Sequence, residues 1–377
     1  MSIVKFSEVA HRAYTREDRF NTEKIYYVGG EHIDSCELYV TKKGVIKGST
    51  IGPMFYCGFT AGQILFVTRN PHLKKCSIAD FDGICSEKTF VIETKDESIL
   101  TQEYLAIIMQ SDDFWNYCEE NKSGGVNYFL NWSTLADYEF ELPPIKQQLE
   151  IAQKVMSAYR LKQSYKKLLD ATREMVKSQF IEMVGDPRNN PKGWPTKRLS
   201  ELAEYSIGLT YKPEQICDDG TIVLRSGNIQ DGKISFSDIV RVNAPIKESL
   251  FVKEDDILMC SRNGSASLVG KVAMIPDINE PMTFGAFMTI IRSAEAKYLY
   301  LYFQSQDFRE RVSEGKSSTM NQITQKMLDK VEVPFPDKDV REALSAIASQ
   351  ADKSKSVIQK ALVYLNDIQS DELRKIA

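Results

Sequence analysis

At 377 residues the chain is too long for one compact domain of ordinary size and suits two or three. Hydrophobic residues at 42% and aromatics at 10% are enough for real cores, which excludes a disordered protein, and no apolar run approaches the roughly 18 residues that a membrane-spanning helix needs. The net charge of −4 does not advertise a partner for a polyanion.

The distribution of charge is more telling. Residues 1–143 carry 14 basic and 21 acidic groups, residues 144–193 carry 10 and 5, residues 194–336 carry 17 and 19, and residues 337–377 carry 7 and 7. Any contact with nucleic acid therefore has to use local clusters. The opening Met1-Ser-Ile-Val-Lys-Phe lacks the apolar stretch of a signal peptide. The seven cysteines are odd in number and contain no CxxC pair, which argues against a disulfide framework and against a zinc site. The expected location is cytoplasmic.

In chain order, Ile64–Val67 and Thr89–Glu93 read as short strands, and a helix is expected over Glu103–Glu120. Pro144 suits the first turn of a long helix running to about Val184. Its seam is Ile151, Val155, Ala158, Lys162, Tyr165, Leu169, Thr172, Val176, Gln179 and Met183. Gly185-Asp-Pro187 supplies the stop, and Asn189–Pro195 reads as a linker. Strands follow at Ile222–Leu224, Ile257–Cys260 and Phe287–Ile291, then a helix over Lys297–Ser313. The chain closes on a cleaner heptad seam: Val340, Leu344, Ile347, Ala351, Ser354, Ile358, Ala361, Leu365 and Ile368. A helix of about 39 residues is about 58 Å long, and so narrow a stripe needs a partner. The two long helices are expected to pair with each other, antiparallel.

Much of this order occurs twice. Lys5–Ala10 matches Arg198–Ala203, Ile64–Asn70 matches Ile257–Asn263, and Phe140–Pro143 matches Val333–Pro336, all at a displacement of 193. Gln110–Phe114 matches Gln304–Phe308, and Lys122, Ser123 and Asn127 match Lys316, Ser317 and Asn321, at 194. Residues 11–60 and 204–252 are nearly unrelated. A retained frame thus carries two different surfaces. The expected organisation is a globular unit over 1–143, a long helix over 144–185, a linker and second unit over 186–336, and a second long helix over 337–377. The fold class is α+β (mixed α/β), with two similar units on an antiparallel coiled coil in pseudo-twofold arrangement.

At this point the chain resembles the specificity subunit of type I restriction–modification systems. The resemblance spans almost the whole length. It rests on Leu142-Pro-Pro-Ile-Lys-Gln-Gln-Leu149 leading into a long helix, and on Gly185-Asp-Pro-Arg188 followed by Gly193-Trp-Pro195 and a Leu-Ser-Glu-Leu run. Gly208-Leu-Thr-Tyr-Lys-Pro213 and Asp256-Ile-Leu-Met-Cys-Ser-Arg262 complete it. The second junction, Pro336-Asp-Lys-Asp-Val-Arg341, departs from the pattern: it lacks the Pro-Pro and the Glu-Gln. The resemblance implies two target-recognition domains, each binding half of a bipartite duplex DNA sequence, and helices that set their spacing and dock two modification (methyltransferase) subunits. Restriction subunits complete the holoenzyme. It also implies a chain without catalysis or cofactors of its own, with S-adenosylmethionine, ATP and Mg²⁺ used by the partner subunits.

Such a module needs cations and amides that reach phosphates and base edges. Arg69-Asn70 and Arg262-Asn263 follow equivalent strands; Arg suits guanine and Asn suits adenine. Lys122, Ser123 and Asn127, with Lys316, Ser317 and Asn321, form polar loops suited to a phosphate, where the resemblance implies a DNA-facing loop. Thr210, Tyr211, Lys212, Arg225 and Asn228 are further candidates in the second copy, with Arg12, Tyr14, Thr15, Arg16 and Arg19 roughly opposite in the first. The basic run Lys154, Arg160, Lys162, Lys166, Lys167, Arg173 and Lys177 is read as a solvated helix face before a binding one.

Among enzymes, a methyltransferase lacks its glycine loop and its Asn/Asp-Pro-Pro-aromatic motif, and no P-loop is present. Asp82 with Glu93-Thr-Lys95 fits a loose Mg²⁺-nuclease pattern, but the second copy does not repeat it: at a displacement of 193 the three positions are Ile275, Ala286 and Met288. Three histidines and no Gly-x-Ser-x-Gly leave nucleophilic triads unsupported. A protein-only scaffold is the rival from outside enzymology.

Overall fold

The computed structural model describes residues 2–314 and 321–374. The chain divides into two compact units, Met1–Leu168 with Ile358–Ala377, and Leu169–Val357. Among the described residues no helix is long and apolar enough to cross a membrane.

Each unit is built around one fully buried strand. In the first, Ile64–Val67 pairs with Thr89–Thr94 on one side and Cys76–Ile78 on the other, and Ala10–Arg12 completes a four-stranded sheet. Successive side chains of a strand point to opposite faces. Ile64 and Phe66 accordingly join a core with the helical residues Leu105, Phe114 and Trp115, while Leu65 and Val67 join a second core with Val28, Phe59 and Cys85. Both faces are covered, so the run Ile-Leu-Phe-Val needs no polar alternation. The second unit repeats the device. Ile257 and Met259 pack towards Tyr298, Tyr302 and Phe308, and Leu258 and Cys260 towards Leu224, Ala273 and Phe284.

The pairings show how closely the frame is kept. Phe6 N–H donates to the Tyr138 carbonyl and, at the equivalent place, Leu199 N–H donates to the Val331 carbonyl. Val4 faces Phe140 as Lys197 faces Val333. The sheets built by the divergent stretches share a three-strand pattern, one strand antiparallel to a second and parallel to a third, and differ in extent. In the first unit five strands order as Thr15–Arg16, Phe55–Phe59, Gly83–Ser86, Tyr26–Val28 and Gly44–Val45. The second unit has a three-stranded sheet of Val240–Val242, Ile216–Leu224 and Met282–Phe284.

The helix expected over Glu103–Glu120 is two helices, Gln102–Ile108 and Asp112–Glu120. Ser111 separates them: its hydroxyl accepts from Phe114 N–H at 3.2 Å, and Asp112 and Asp113 favour the positive end of the second helix. The helix expected over Lys297–Ser313 divides likewise into Ala296–Phe303 and Gln306–Glu314, where the Ser305 hydroxyl accepts from Phe308 N–H.

The long helices run over Ile145–Val184 and Lys338–Arg374. Their predicted seams are buried or half-buried along both. Within the first unit Lys162 reaches Gln369, at 3.4 Å. Within the second, Val176, Phe180 and Met183 pack in one cluster with Val340, Leu344 and Ala348. The early part of one helix meets the late part of the other, so they run antiparallel. Gly185 ends the first helix at a φ of +87°, a conformation that favours glycine.

Gln148 fixes the start of the first long helix. It is fully buried; its side-chain oxygen accepts from Thr101 N–H at 3.1 Å, and its amide donates to the Ile99 and Pro143 carbonyls, each at 2.8 Å. The second junction does this differently. Arg341 holds the corresponding place in the second copy. It donates to the Pro336 carbonyl at 2.9 Å, stacks on Phe335 and pairs with Glu295. This accounts for the departure from the Glu-Gln pattern. Gln148→Ala leaves three backbone groups without partners, two of them in buried bonds, and is expected to cost about 2–4 kcal/mol. A denaturation midpoint unchanged from that of the parent chain would refute the role.

Candidate nucleic-acid interface

The last residue of each central strand is followed by a corner that both units build alike. In the first, Leu130 N–H donates to the Thr68 carbonyl and Asn70 N–H to the Tyr128 carbonyl, both at 3.0 Å, and Arg69 bridges to Phe129. In the second, Ile323 N–H donates to the Ser261 carbonyl at 2.7 Å and Asn263 N–H to the Asn321 carbonyl at 3.3 Å, and Arg262 bridges to Gln322. Donors, acceptors and bridging residues all keep the displacement found for the central strands. The structure thus brings Arg69 and Asn70 to the loop holding Lys122, Ser123 and Asn127, and Arg262 and Asn263 to Asn321. Lys316 and Ser317 lie outside the described residues.

One expectation is corrected. Asn127 and Asn321 matched at a displacement of 194, but the backbone pairs Asn321 as it pairs Tyr128. The two asparagines are not equivalent.

Arg69 is exposed, with its guanidinium 5.4 Å from the centre of the Phe129 ring. Asn70 adopts a left-handed conformation, φ 53°, which asparagine tolerates better than most residues. Lys122 pairs with Glu119 at 2.6 Å and lies over the Tyr128 ring at 4.4 Å. Ser123 exchanges both backbone bonds with Phe129, and Asn127 is exposed at the loop tip. Gly124, at φ +100°, lets this loop close: a Cβ there would stand 2.7 Å from the Asn127 carbonyl oxygen.

In the second unit Thr210, Tyr211 and Arg225 line a cleft of about 460 Å³ with Asp238 and Phe287. Ser226 joins the cleft to the corner, accepting from the Asn263 amide at 3.1 Å. Arg225 pairs with Asp238 at 2.9 Å. Lys212 is exposed and precedes a short helical turn, Pro213–Gln215. Asn228 is a correction: it is buried, its oxygen accepts from Arg225 N–H, and its amide donates to the Ser235 and Asp238 carbonyls. It shapes the loop and has no donor to present to a ligand.

Arg12 is half-buried against Phe90, 4.4 Å from the ring centre, and Tyr14. Arg16 lies over Tyr56 and Arg19 over Phe20, while the Thr15 hydroxyl bonds Glu17. Much of the basic run on the first long helix is spent within the chain. Lys166 pairs with Glu37 at 3.0 Å, Arg173 with Asp170 and Asp231, and Lys177 with Glu174. Burial, and then the neighbouring Lys166, lower the Lys162 pKa.

The nuclease-like residues are each engaged by a different partner. The Asp82 carboxylate accepts from Ala61 N–H, Glu93 from the Gln63 amide, and Lys95 donates to the Ser7 carbonyl. Among the described residues no group of three or more His, Cys, Asp or Glu could hold a metal ion. The strand pairing also corrects their counterparts in the second unit. Phe66 faces Phe90, whereas Met259, which matches Phe66, faces Thr289. The connection between the paired strands is therefore longer in the second unit, by six positions, and Glu93 and Lys95 correspond to Arg292 and Ala294.

Two related α+β units, each with the same arginine–asparagine corner, and two long antiparallel helices define a tandem-module protein. Residues 191–366 match the family described as the type I restriction modification DNA specificity domain. The chain is 30% identical over 183 residues to the type I restriction enzyme StySPI specificity subunit of Salmonella potsdam, which covers 45% of this chain and 39% of that one. It is 29% identical over 179 residues to the EcoKI specificity subunit of Escherichia coli strain K12, covering 44% and 38%. It is 20% identical over 357 residues to the MjaVIII specificity subunit of Methanocaldococcus jannaschii, covering 87% and 80%. The matched region spans about two-fifths of the length of the first two relatives. Among solved structures, the S subunit of a type I restriction–modification system from M. genitalium superposes with a TM-score of 0.65 at 15% identity, over 100% of this chain and 95% of that one. Residues 191–366 thus carry a type I restriction modification DNA specificity domain, and the chain is similar to specificity subunits of such systems.

Proposed function

We propose that this chain is the sequence-specific DNA-binding subunit of a type I restriction–modification complex. Each unit reads one half of a bipartite duplex target, and the long helices set the spacing and dock two modification subunits. Restriction subunits join them in the holoenzyme. Methylation, translocation and cleavage, with S-adenosylmethionine, ATP and Mg²⁺, belong to those partners in the cytoplasm, and this chain contributes recognition without catalysis. The observation that carries the reading is the corner built twice in the same register, Arg69-Asn70 and Arg262-Asn263, within frames that otherwise hold unrelated surfaces. A bidentate arginine at a corner suits a guanine edge, and such a contact discriminates by about 1–3 kcal/mol.

The test is fluorescence polarisation of the chain, with and without modification subunits, on duplex libraries at stated salt. The complex is expected to select one bipartite sequence, and Arg262→Ala to weaken it roughly 10- to 100-fold through one half-site. No sequence selection by the complex would sink the proposal and leave the scaffold reading. Cleavage by the isolated chain with Mg²⁺ would revive the nuclease.

A further inference from the structure

The corners share a backbone but not their side chains. The Thr68 N–H and hydroxyl both donate to the Lys88 carbonyl at 2.9 Å; the Ser261 N–H and hydroxyl both donate to the Phe287 carbonyl at 3.0 Å. Lys88 and Phe287 therefore occupy one place in the frame. Tyr128 and Asn321 occupy a second, and Phe129 and Gln322 a third, as the backbone pairings above establish. All three positions surround the retained arginine, and all three change chemistry between the units: Lys, Tyr and Phe in the first, Phe, Asn and Gln in the second.

These side chains are not core. Phe287 is 58% exposed, and the Lys88 side chain 47%. In the second unit Arg262 reaches two of the three, its guanidinium 2.7 Å from the Gln322 side-chain oxygen and 5.7 Å from the centre of the Phe287 ring, while the Asn321 amide donates to the Gly264 carbonyl. In the first unit Arg69 stacks on Phe129 alone of the three, and Lys88 is tied to Glu87 at 2.6 Å. An exposed aromatic held by two backbone-directed bonds from its neighbour is a fixed apolar contact at a surface. Carboxamides suit an adenine edge, and an apolar ring suits the thymine methyl, whereas a second cation beside an arginine suits guanine.

We propose that these three positions decide which base pairs each corner accepts: Lys88, Tyr128 and Phe129 for one half-site, and Phe287, Asn321 and Gln322 for the other. The second set favours A·T pairs. This rests on the DNA-recognition reading and deepens it.

The test uses the full chain assembled with its modification subunits and a randomised duplex library. Grafting the first set onto the second unit (Phe287→Lys, Asn321→Tyr and Gln322→Phe) is expected to shift preference by about tenfold or more at one or two base pairs of one half-site. The other half-site and the spacer should stay as they were. The single variant Phe287→Ala removes only an exposed ring. It is expected to lose about tenfold discrimination at one base pair with an unchanged melting temperature, and it decides the matter if the triple variant fails to fold. Base preferences identical to the parent in both halves, whether or not affinity falls, would overturn the proposal. Absence of any bipartite selection by the parent complex would instead overturn the recognition reading beneath it.

Discussion

Arg292→Ala is expected to destabilise the second unit by about 3–5 kcal/mol, a larger loss than Gln148→Ala should give in the first. The reason lies in what is left behind. Asp256 is 2% exposed, and the Arg292 guanidinium holds it bidentately, Nε to Oδ1 at 2.7 Å and the terminal nitrogen to Oδ2 at 2.6 Å. Those bonds push the Arg292 pKa up. Without the arginine, Asp256 keeps one backbone donor, Lys253 N–H, and is otherwise a buried carboxylate with no counter-charge. The reverse truncation, Asp256→Ala, should cost less, because the Arg292 side chain is one-third exposed and keeps the Phe251 carbonyl as an acceptor. For a unit of this size, about 3 kcal/mol corresponds to roughly 6–12 °C in melting temperature. Equal losses from the two truncations, or a loss under about 1 kcal/mol from Arg292→Ala, would refute the account. The first unit does without the pair: Gln63 donates to Glu93 across the corresponding strands, at 3.3 Å. The aspartate that helps mark the family resemblance therefore supports the strand next to the corner and does not face a ligand.

The parts of this fold that were legible in the sequence are those with a local signal. The heptad seams could be read because each turn repeats the pattern, and Ile64–Val67 and Ile257–Cys260 because a strand covered on both faces is a continuous apolar run. The split of each helical segment was in principle visible in Ser111-Asp112-Asp113, a capping signature that the apolar spacing on either side obscured. The short strands Thr15–Arg16 and Gly44–Val45 carry no such signal; distant pairing partners form them. A fixed displacement cannot reveal the longer connection between two paired strands: at 193 Glu93 falls on Ala286, while its counterpart in the sheet is Arg292. At the candidate site the arginine–asparagine corners were readable because they recur. Phe287 was not, because Lys88 holds its place in the first unit and no likeness connects them. Asn228 looked like a donor because the tertiary contacts that consume its amide leave no mark in the chain.

Inserting four residues into the first long helix is expected to change or abolish recognition of the native target while both half-sites keep their base preferences. Four helical residues add about 6 Å, close to two base-pair rises of duplex DNA. The place of insertion matters. Near Gln163 it would separate donors that converge on Glu37: Tyr159 at 2.7 Å, Gln163 at 3.0 Å and Lys166 at 3.0 Å. Any loss there would mix spacing with damage to the first unit. Between Leu168 and Leu169, where the compact units divide, all three donors stay on the same side of the cut. A matching insertion between Val357 and Ile358 lengthens the second helix at its own division, so each unit keeps its helical contacts. If the helices set the separation of the half-sites, the doubly extended chain, assembled with modification subunits, should lose about 100-fold or more on the native duplex. It should recover on a duplex whose spacer is longer by about two base pairs, with the half-sites unaltered. Full affinity for the native spacer would show that the separation is set elsewhere.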